Sequence, residues 1–296
     1  MKKLPSILFT LLFLFLYVAS SAADLTVTFI DVGQGDAILI EAPNGRTMLI
    51  DAGGTPYWKE SNYDPGEAVV VPLIKSKNIK KLDYVIQTHS DGDHIGGMAA
   101  VVLKIPVGVV FENGFKADTP EFTELHNIIN YNHLVSSILV QGMRIDLDPS
   151  VKIDVLSPPK NDYFEENNSN SIVIRMQYGE VSFLFPGDIK YDRESAILRD
   201  YGDKVQSTIL KVSHHGSATS TSEEFLSYVS PEIAVIQVGS ANGFGHPSVD
   251  VLQKLRAEGI DIFRTDRMGN IEIKTNGDRF WIKTQRPVKK TKNKVE

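Results

Sequence analysis

The stretch that decides the fold is His89-Ser90-Asp91-Gly92-Asp93-His94-Ile95-Gly96-Gly97, which follows directly on the apolar run Leu82-Asp83-Tyr84-Val85-Ile86. The run reads as a short β-strand and residues 96–103 as a small-residue helix, so four potential ligands fall on a strand-to-helix turn. Such a turn can aim two imidazoles and two carboxylates into one concave site. Ser90 and Gly92 are small, and Gly96-Gly97 lets the following helix approach closely. A solvated turn has little use for this composition, and the cluster is therefore read as a metal site.

Working outward, residues 25–31 and 37–41 are β-rich runs joined by Val32-Gly33-Gln34-Gly35-Asp36, and 46–51 follows the turn signal Pro43-Asn44-Gly45. Residues 55–66 read as a polar surface loop and 67–78 as a helix. Further strands are expected at 107–111, 152–156, 171–178, 181–186, 208–212, 233–238, 262–264, 271–275 and 279–283. Helices are expected at 122–135, 192–201, 222–229 and 249–258, the last stopped by Gly259. Hairpins first, then strands alternating with helices, predict sheets covered by helices.

The chain has 296 residues, 42% hydrophobic and 23% charged, which suits a folded domain and argues against long-range disorder or coiled coil. It has no cysteine, which excludes a disulfide scaffold, cysteine–zinc knuckles, iron–sulfur clusters and a thiol nucleophile. Metal ligands must come from His, Asp, Glu or amide oxygen. Residues 1–23 combine Lys2 and Lys3, the apolar run 7–18 and small residues at 19–23, the pattern of a secretory signal peptide. The twelve-residue run, apolar but for Thr10, falls short of the ~20 that span a bilayer. The reading is a cleaved export signal and a secreted or periplasmic protein with no stable membrane insertion afterwards.

Residues 24–282 read as one domain, with 23 basic and 36 acidic residues, followed by a basic tail at 283–296. That tail is expected to be a solvated, disordered end, with an electrostatic contact to DNA or an anionic envelope as its functional reading. The acidic body is a poor match for tight nucleic-acid binding unless metals and a local basic surface compensate.

His89-x-Asp91-x-Asp93-His94 resembles the His-x-His-x-Asp-His signature of the metallo-β-lactamase superfamily, with Asp91 in place of the second His. With Phe29-Ile30-Asp31-Val32-Gly33-Gln34-Gly35-Asp36-Ala37, Leu49-Ile50-Asp51-Ala52-Gly53, Asp64-Pro65-Gly66-Glu67, Phe185-Pro186-Gly187-Asp188, Val212-Ser213-His214-His215-Gly216-Ser217, Gly245-His246-Pro247-Ser248 and Arg264-Thr265-Asp266, it looks like the extracytoplasmic hydrolase domain of ComEC-type competence proteins. It resembles a free-standing, exported version of that domain.

The resemblance implies an α/β fold, a four-layer αβ/βα sandwich, with one or two divalent ions, zinc or manganese, at the edge of the sheets. His89 and Asp91 would hold one ion, Asp93 and His94 the other, with Asp188 bridging and His215 completing the second site. The further His that most members supply is missing. His126 and His133 lie mid-helix and read as surface or packing residues, so Asn170 or Ser171 would approach the first ion directly or through water. Asp93 would orient a metal-activated hydroxide, His214 or His246 would protonate the leaving group, and Ser217 and the Gly216 backbone would contact phosphate. Asp31, Gln34, Asp36 and Asp51 would shape the floor. The implied function is an exported metal-dependent hydrolase, a phosphodiesterase acting on DNA or another phosphodiester. The alternatives are a hydrolase of a small ester, lactone or phosphorylcholine-type substrate, or a non-catalytic metal-binding envelope protein.

Overall fold

The structure, a computed structural model, describes residues 23–55, 63–160 and 163–287, with the backbone of 290–291 and 294–295. The export segment, most of the polar loop after Thr55 and much of the basic tail lie outside the described residues.

Strands β1 (Leu25–Phe29), β2 (Ile38–Glu41) and β3 (Thr47–Ile50) form a meander. A helical stretch, Gly66–Val70 continued by α1 (Val71–Ser76), leads to β4 (Leu82–Ile86). Helices α2 (Gly92–Ile95) and α3 (Met98–Lys104) precede β5 (Val107–Glu112), α4 (Pro120–Tyr131) and β6 (Val135–Ile138). The second sheet is built from β7 (Val151–Ser157), β8 (Val173–Tyr178), β9 (Val181–Phe185), and, after α5 (Tyr191–Tyr201), β10 (Ile209–Lys211). Helix α6 (Glu223–Val229), β11 (Ile233–Ile236), α7 (Val249–Ala257) and β12 (Asp261–Arg264) complete it. After the short α8 (Thr265–Met268), β13 (Ile271–Thr275) and β14 (Phe280–Thr284) return to the first sheet.

The sheets run β14-β13-β1-β2-β3-β4-β5-β6 and β12-β11-β10-β9-β8-β7. Three apolar clusters define four layers. One lies between the sheets and pairs Phe29 of β1 with Phe185 of β9, ring centroids 6.2 Å apart. A second packs β2–β5 against α1, α3 and α4, and the third packs β9–β12 against α5, α6 and α7. Strand β11 (Ile233-Ala234-Val235-Ile236) is buried at every position between layers, which is why it reads as an unbroken apolar run. This is the four-layer α/β sandwich that the resemblance implies.

Two elements differ from the sequence reading. Helix α4 stops at Tyr131, and Val135-Ser136-Ser137-Ile138 pairs in parallel with β5 as an exposed edge strand. A four-residue strand with two serines carries no apolar alternation to announce it. The domain also runs past 282. Strand β14 ends at Thr284, and Arg286 donates to Asp31 and to the Thr265 carbonyl, which ties the start of the basic segment to the fold.

Candidate metal centre

The 89–97 turn is pressed onto the loop after β3 by backbone contacts. Ala52 N donates to His94 O at 2.8 Å and Gly97 N to Gly53 O at 2.8 Å. A Cβ on Gly97 would sit 2.4 Å from Ala52 O and 2.6 Å from Gly66 N, so only glycine permits this approach. Asp188 arrives on the turn after β9, and His214-His215 on the turn after β10. Both histidines have positive φ (50° and 54°), a conformation held by the surrounding contacts that splits the two rings apart.

His89, His94 and His215 are buried, and the Nε2 of each has no hydrogen-bond partner. His94 Nε2 and His215 Nε2 each lie 3.2 Å from Asp188 Oδ2, and His215 Nε2 lies 3.3 Å from Asp93 Oδ2. Ligand atoms of His89, His94 and Asp188, and of Asp93, His94 and His215, fall within 4.8 Å of one another. Each ring is held from behind at Nδ1. His94 Nδ1 donates to Asp51 Oδ2 at 2.7 Å, and His215 Nδ1 donates to the Gln237 carbonyl at 2.9 Å. His89 Nδ1 faces Thr88 Oγ1 at 3.1 Å, whose proton goes to Asp51 at 2.6 Å. This fixes the tautomer that turns the Nε2 lone pair inward, the arrangement a metal-ligating histidine requires. Three inward lone pairs and two carboxylates fit one or two divalent ions. Two further groupings, Asp36 with Asp51 and His94, and Asp36 with Asp188 and His215, include the carboxylates that lie behind His94 and His215 on the Nδ1 side. They are the support of the centre and not its mouth.

Burial alone would raise Asp188, but the charges of His215, His94 and Lys211 outweigh it and hold the carboxyl well below the usual range. Asp93 is lowered against its own burial by His215 and His94. His94 and His215 are raised, because Asp188 with Asp51 or Asp36 overcomes their desolvation. The pocket thus demands positive charge, which divalent ions satisfy.

Asp91 lies beside the centre. Its Oδ2 is 3.6 Å from His89 Nε2, its Oδ1 accepts from Asn167 Nδ2 at 2.6 Å, and it falls in none of the ligand groupings among the described residues. His214 sits at the rim, Nε2 3.9 Å from Asp188 Oδ2, which leaves the ligand position to His215. His246 lies against both, ring centroids 5.5 Å from His214 and 6.4 Å from His215. Burial, with the charge of His215 and its neighbours, lowers His214 and pushes His246 down to about 4. Burial thus favours the uncharged form of both rings.

Asn170 and Ser171 do not reach the centre. Asn170 exchanges bonds with Phe164 N and O, and Ser171 Oγ accepts from Asp188 N at 3.1 Å, so they shape the loop and seat Asp188. Asn168, with Nδ2 3.5 Å from His214 Nε2, is the loop residue that faces the site. Ser217 Oγ accepts locally from Thr219 N at 3.3 Å, and Gly216 O accepts from Ser248 N at 2.8 Å, which ties the turn to the start of α7. His126 bonds Glu112 at 2.6 Å, a packing role as expected, and His133 is exposed. Sequence reading missed Lys211. Its buried ammonium contacts Asp36, Asp188 Oδ1 at 3.2 Å and the Gly187 carbonyl at 3.0 Å. A charged residue inside the apolar run of β10 was the only signal of it.

The description of the metallo-beta-lactamase superfamily matches residues 30–123. The chain is 33% identical over 281 residues to ComE operon protein 3 of Bacillus subtilis, covering 90% of this chain and 35% of that protein. It is 33% identical to competence protein ComA of Neisseria gonorrhoeae (83% and 32% covered) and 30% identical to recombination protein 2 of Haemophilus influenzae (88% and 30%). The chain spans about a third of the length of these relatives. Igni18, a metallo hydrolase from the archaeon Ignicoccus hospitalis, shares the fold at TM-score 0.55 and 14% identity, covering 84% of this chain and 98% of that one. YhfI of Bacillus subtilis, a metallo-beta-lactamase fold protein, does so at TM-score 0.52 and 11% identity, covering 88% and 100%. Residues 30–123 carry a metallo-β-lactamase superfamily domain, and the chain as a whole has the metallo-hydrolase fold. Within the superfamily its homologues are competence proteins of the ComEC type.

Proposed function

We propose that this protein is an exported metal-dependent phosphodiesterase that cleaves DNA. The observation that carries the reading is the set of three buried Nε2 atoms without partners, each ring locked from behind and all turned toward Asp93 and Asp188. Divalent ions held there, zinc or manganese, supply a water ionised near neutral pH and a Lewis acid for a phosphoryl oxygen. Asp93 Oδ2 orients the attacking water and accepts its proton. Asp188 Oδ2 and the three imidazoles keep the reacting groups in line, so the geometry is set before substrate arrives. His214 or His246 protonates the departing oxygen, which leaves as the alcohol.

DNA is favoured over other diesters by the relatives named for competence and recombination. Lys289, Lys290, Lys292 and Lys294 give the phosphate contact that the acidic body lacks. Residues 1–23 direct export; no helix among the described residues is long and apolar enough to cross a membrane. The test is a panel of an activated phosphodiester, a phosphomonoester, a lactone, a β-lactam and single-stranded DNA, with zinc or manganese loaded. Turnover of the diester and DNA, reduced at least ~100-fold by Asp93→Ala, supports the reading. Turnover of the lactone or lactam alone overturns it.

A further inference from the structure

Phe244 stands out among the large apolar residues at the surface because it borders the metal centre. It is 55% exposed, and its ring stacks on His246 with centroids 5.7 Å apart and planes 25° from parallel. His246 in turn lies 5.5 Å from His214 and 6.4 Å from His215. An exposed aromatic face therefore continues the wall of the centre outward into solvent.

The loop that carries it is firmly seated. Gly239 N donates to Gln34 Oε1 at 3.2 Å, and Ser248 N donates to Gly216 O at 2.8 Å, which pins both ends to the floor and to the turn bearing the histidine pair. Between them Asn242 closes the loop on itself. Its Nδ2 donates to Gly239 O and to His246 O at 2.8 Å each, and its Oδ1 accepts from His246 N at 3.0 Å. Gly243 and Gly245 on either side of Phe244 face open space. The loop holds a hydrophobic ring in water at one place, next to two buried imidazole atoms, His214 Nδ1 and His246 Nδ1, that have no hydrogen-bond partner.

We infer that Phe244 is a stacking platform for an unpaired nucleobase flanking the scissile phosphate. The inference rests on the phosphodiesterase reading and deepens it. An aromatic face beside a phosphate-binding centre suits a nucleic-acid strand, since every base offers a π-face while its phosphate reaches the ions. A paired base presents no free face, so a duplex forgoes the contact.

The experiment compares wild type, Phe244→Ala and Phe244→Trp on a fluorescent single-stranded oligonucleotide with one cleavage position, the same strand abasic next to that position, and the duplex. Wild type is expected to show a KM roughly tenfold lower on the intact strand than on the abasic strand, the value of one base stacked on an aromatic ring. In Phe244→Ala that difference disappears, and in Phe244→Trp it returns. Equal base-removal penalties in wild type and Phe244→Ala overturn the platform while leaving the nuclease reading intact. If wild type cleaves no oligonucleotide, the nuclease reading fails, and binding decides the platform alone. Quenching of the added indole of Phe244→Trp, measured against wild type, by the intact but not the abasic strand supports it, and equal or absent quenching overturns it.

Discussion

Lys211 divides the carboxylate of Asp188 between two tasks: its ammonium takes Oδ1 at 3.2 Å, while Oδ2 faces the Nε2 atoms of His94 and His215 at 3.2 Å each. The same ammonium pairs with Asp36, which supports His215 from behind at 3.4 Å. Burial alone would lower Lys211, but Asp36 and Asp188 overcome it and keep the group charged.

Removing that cation leaves two buried carboxylates without the ammonium they share. Lys211→Met is expected to destabilise the metal-free protein by about 3–5 kcal/mol. Urea unfolding measures it, and a midpoint equal to wild type speaks against the pairing.

Chelation acts on the same charge balance. Ions that bind only the folded chain add about 2.7 kcal/mol at a hundred times their Kd. Chelator is expected to lower the unfolding temperature of wild type, and zinc or manganese to restore it. His215→Ala is expected to show little of either shift in a thermal melt.

Close backbone approach holds the ligand turn. Gly97→Ala places a methyl group against Ala52 O and Gly66 N and is expected to cost about 1–3 kcal/mol. Because Ala52 N bonds His94 O, metal affinity falls with stability. Titration of bound metal in Gly97→Ala checks the coupling, and wild-type affinity argues against it.

Away from the centre, Glu112 raises His126 by its hydrogen bond, against partial burial. Burial alone would raise Glu112, but the bonds from His126 and Ser136 lower it. The His126 contribution is full below its ordinary 6.5 and is lost as pH rises through the raised value. The Glu112 contribution is present above its ordinary 4.5 and is lost as pH falls through the lowered value. The pair therefore stabilises most between these two ordinary values, and His126→Gln is expected to flatten that part of the stability–pH profile in denaturant titrations.

Most of the centre was legible because its ligands sit in short strand-end motifs, where a run of His and Asp next to glycine has little structural purpose. The choice of His215 over His214 and the floor role of Asp36 and Asp51 came instead from the resemblance to the metallo-β-lactamase superfamily. What stayed hidden depends on distant chain segments meeting. Lys211 looks like an ordinary strand residue until Asp36 and Asp188 close around it. Asn167 and Asn168 face the site while the chosen Asn170 turns inward, because a single 3₁₀ turn, Asn168–Asn170, sends neighbouring side chains in different directions. Strand β6 was hidden for the opposite reason: an exposed edge needs no apolar pattern.

The ions retained per chain after reconstitution with zinc or manganese and gel filtration, in wild type and in His94→Ala, test the centre most directly. The converging Nε2 atoms and carboxylates require one or two equivalents in wild type and a large loss in the variant. A wild-type chain that retains no ion at micromolar free metal, or a variant that retains as much, contradicts a metal centre at this place in the fold.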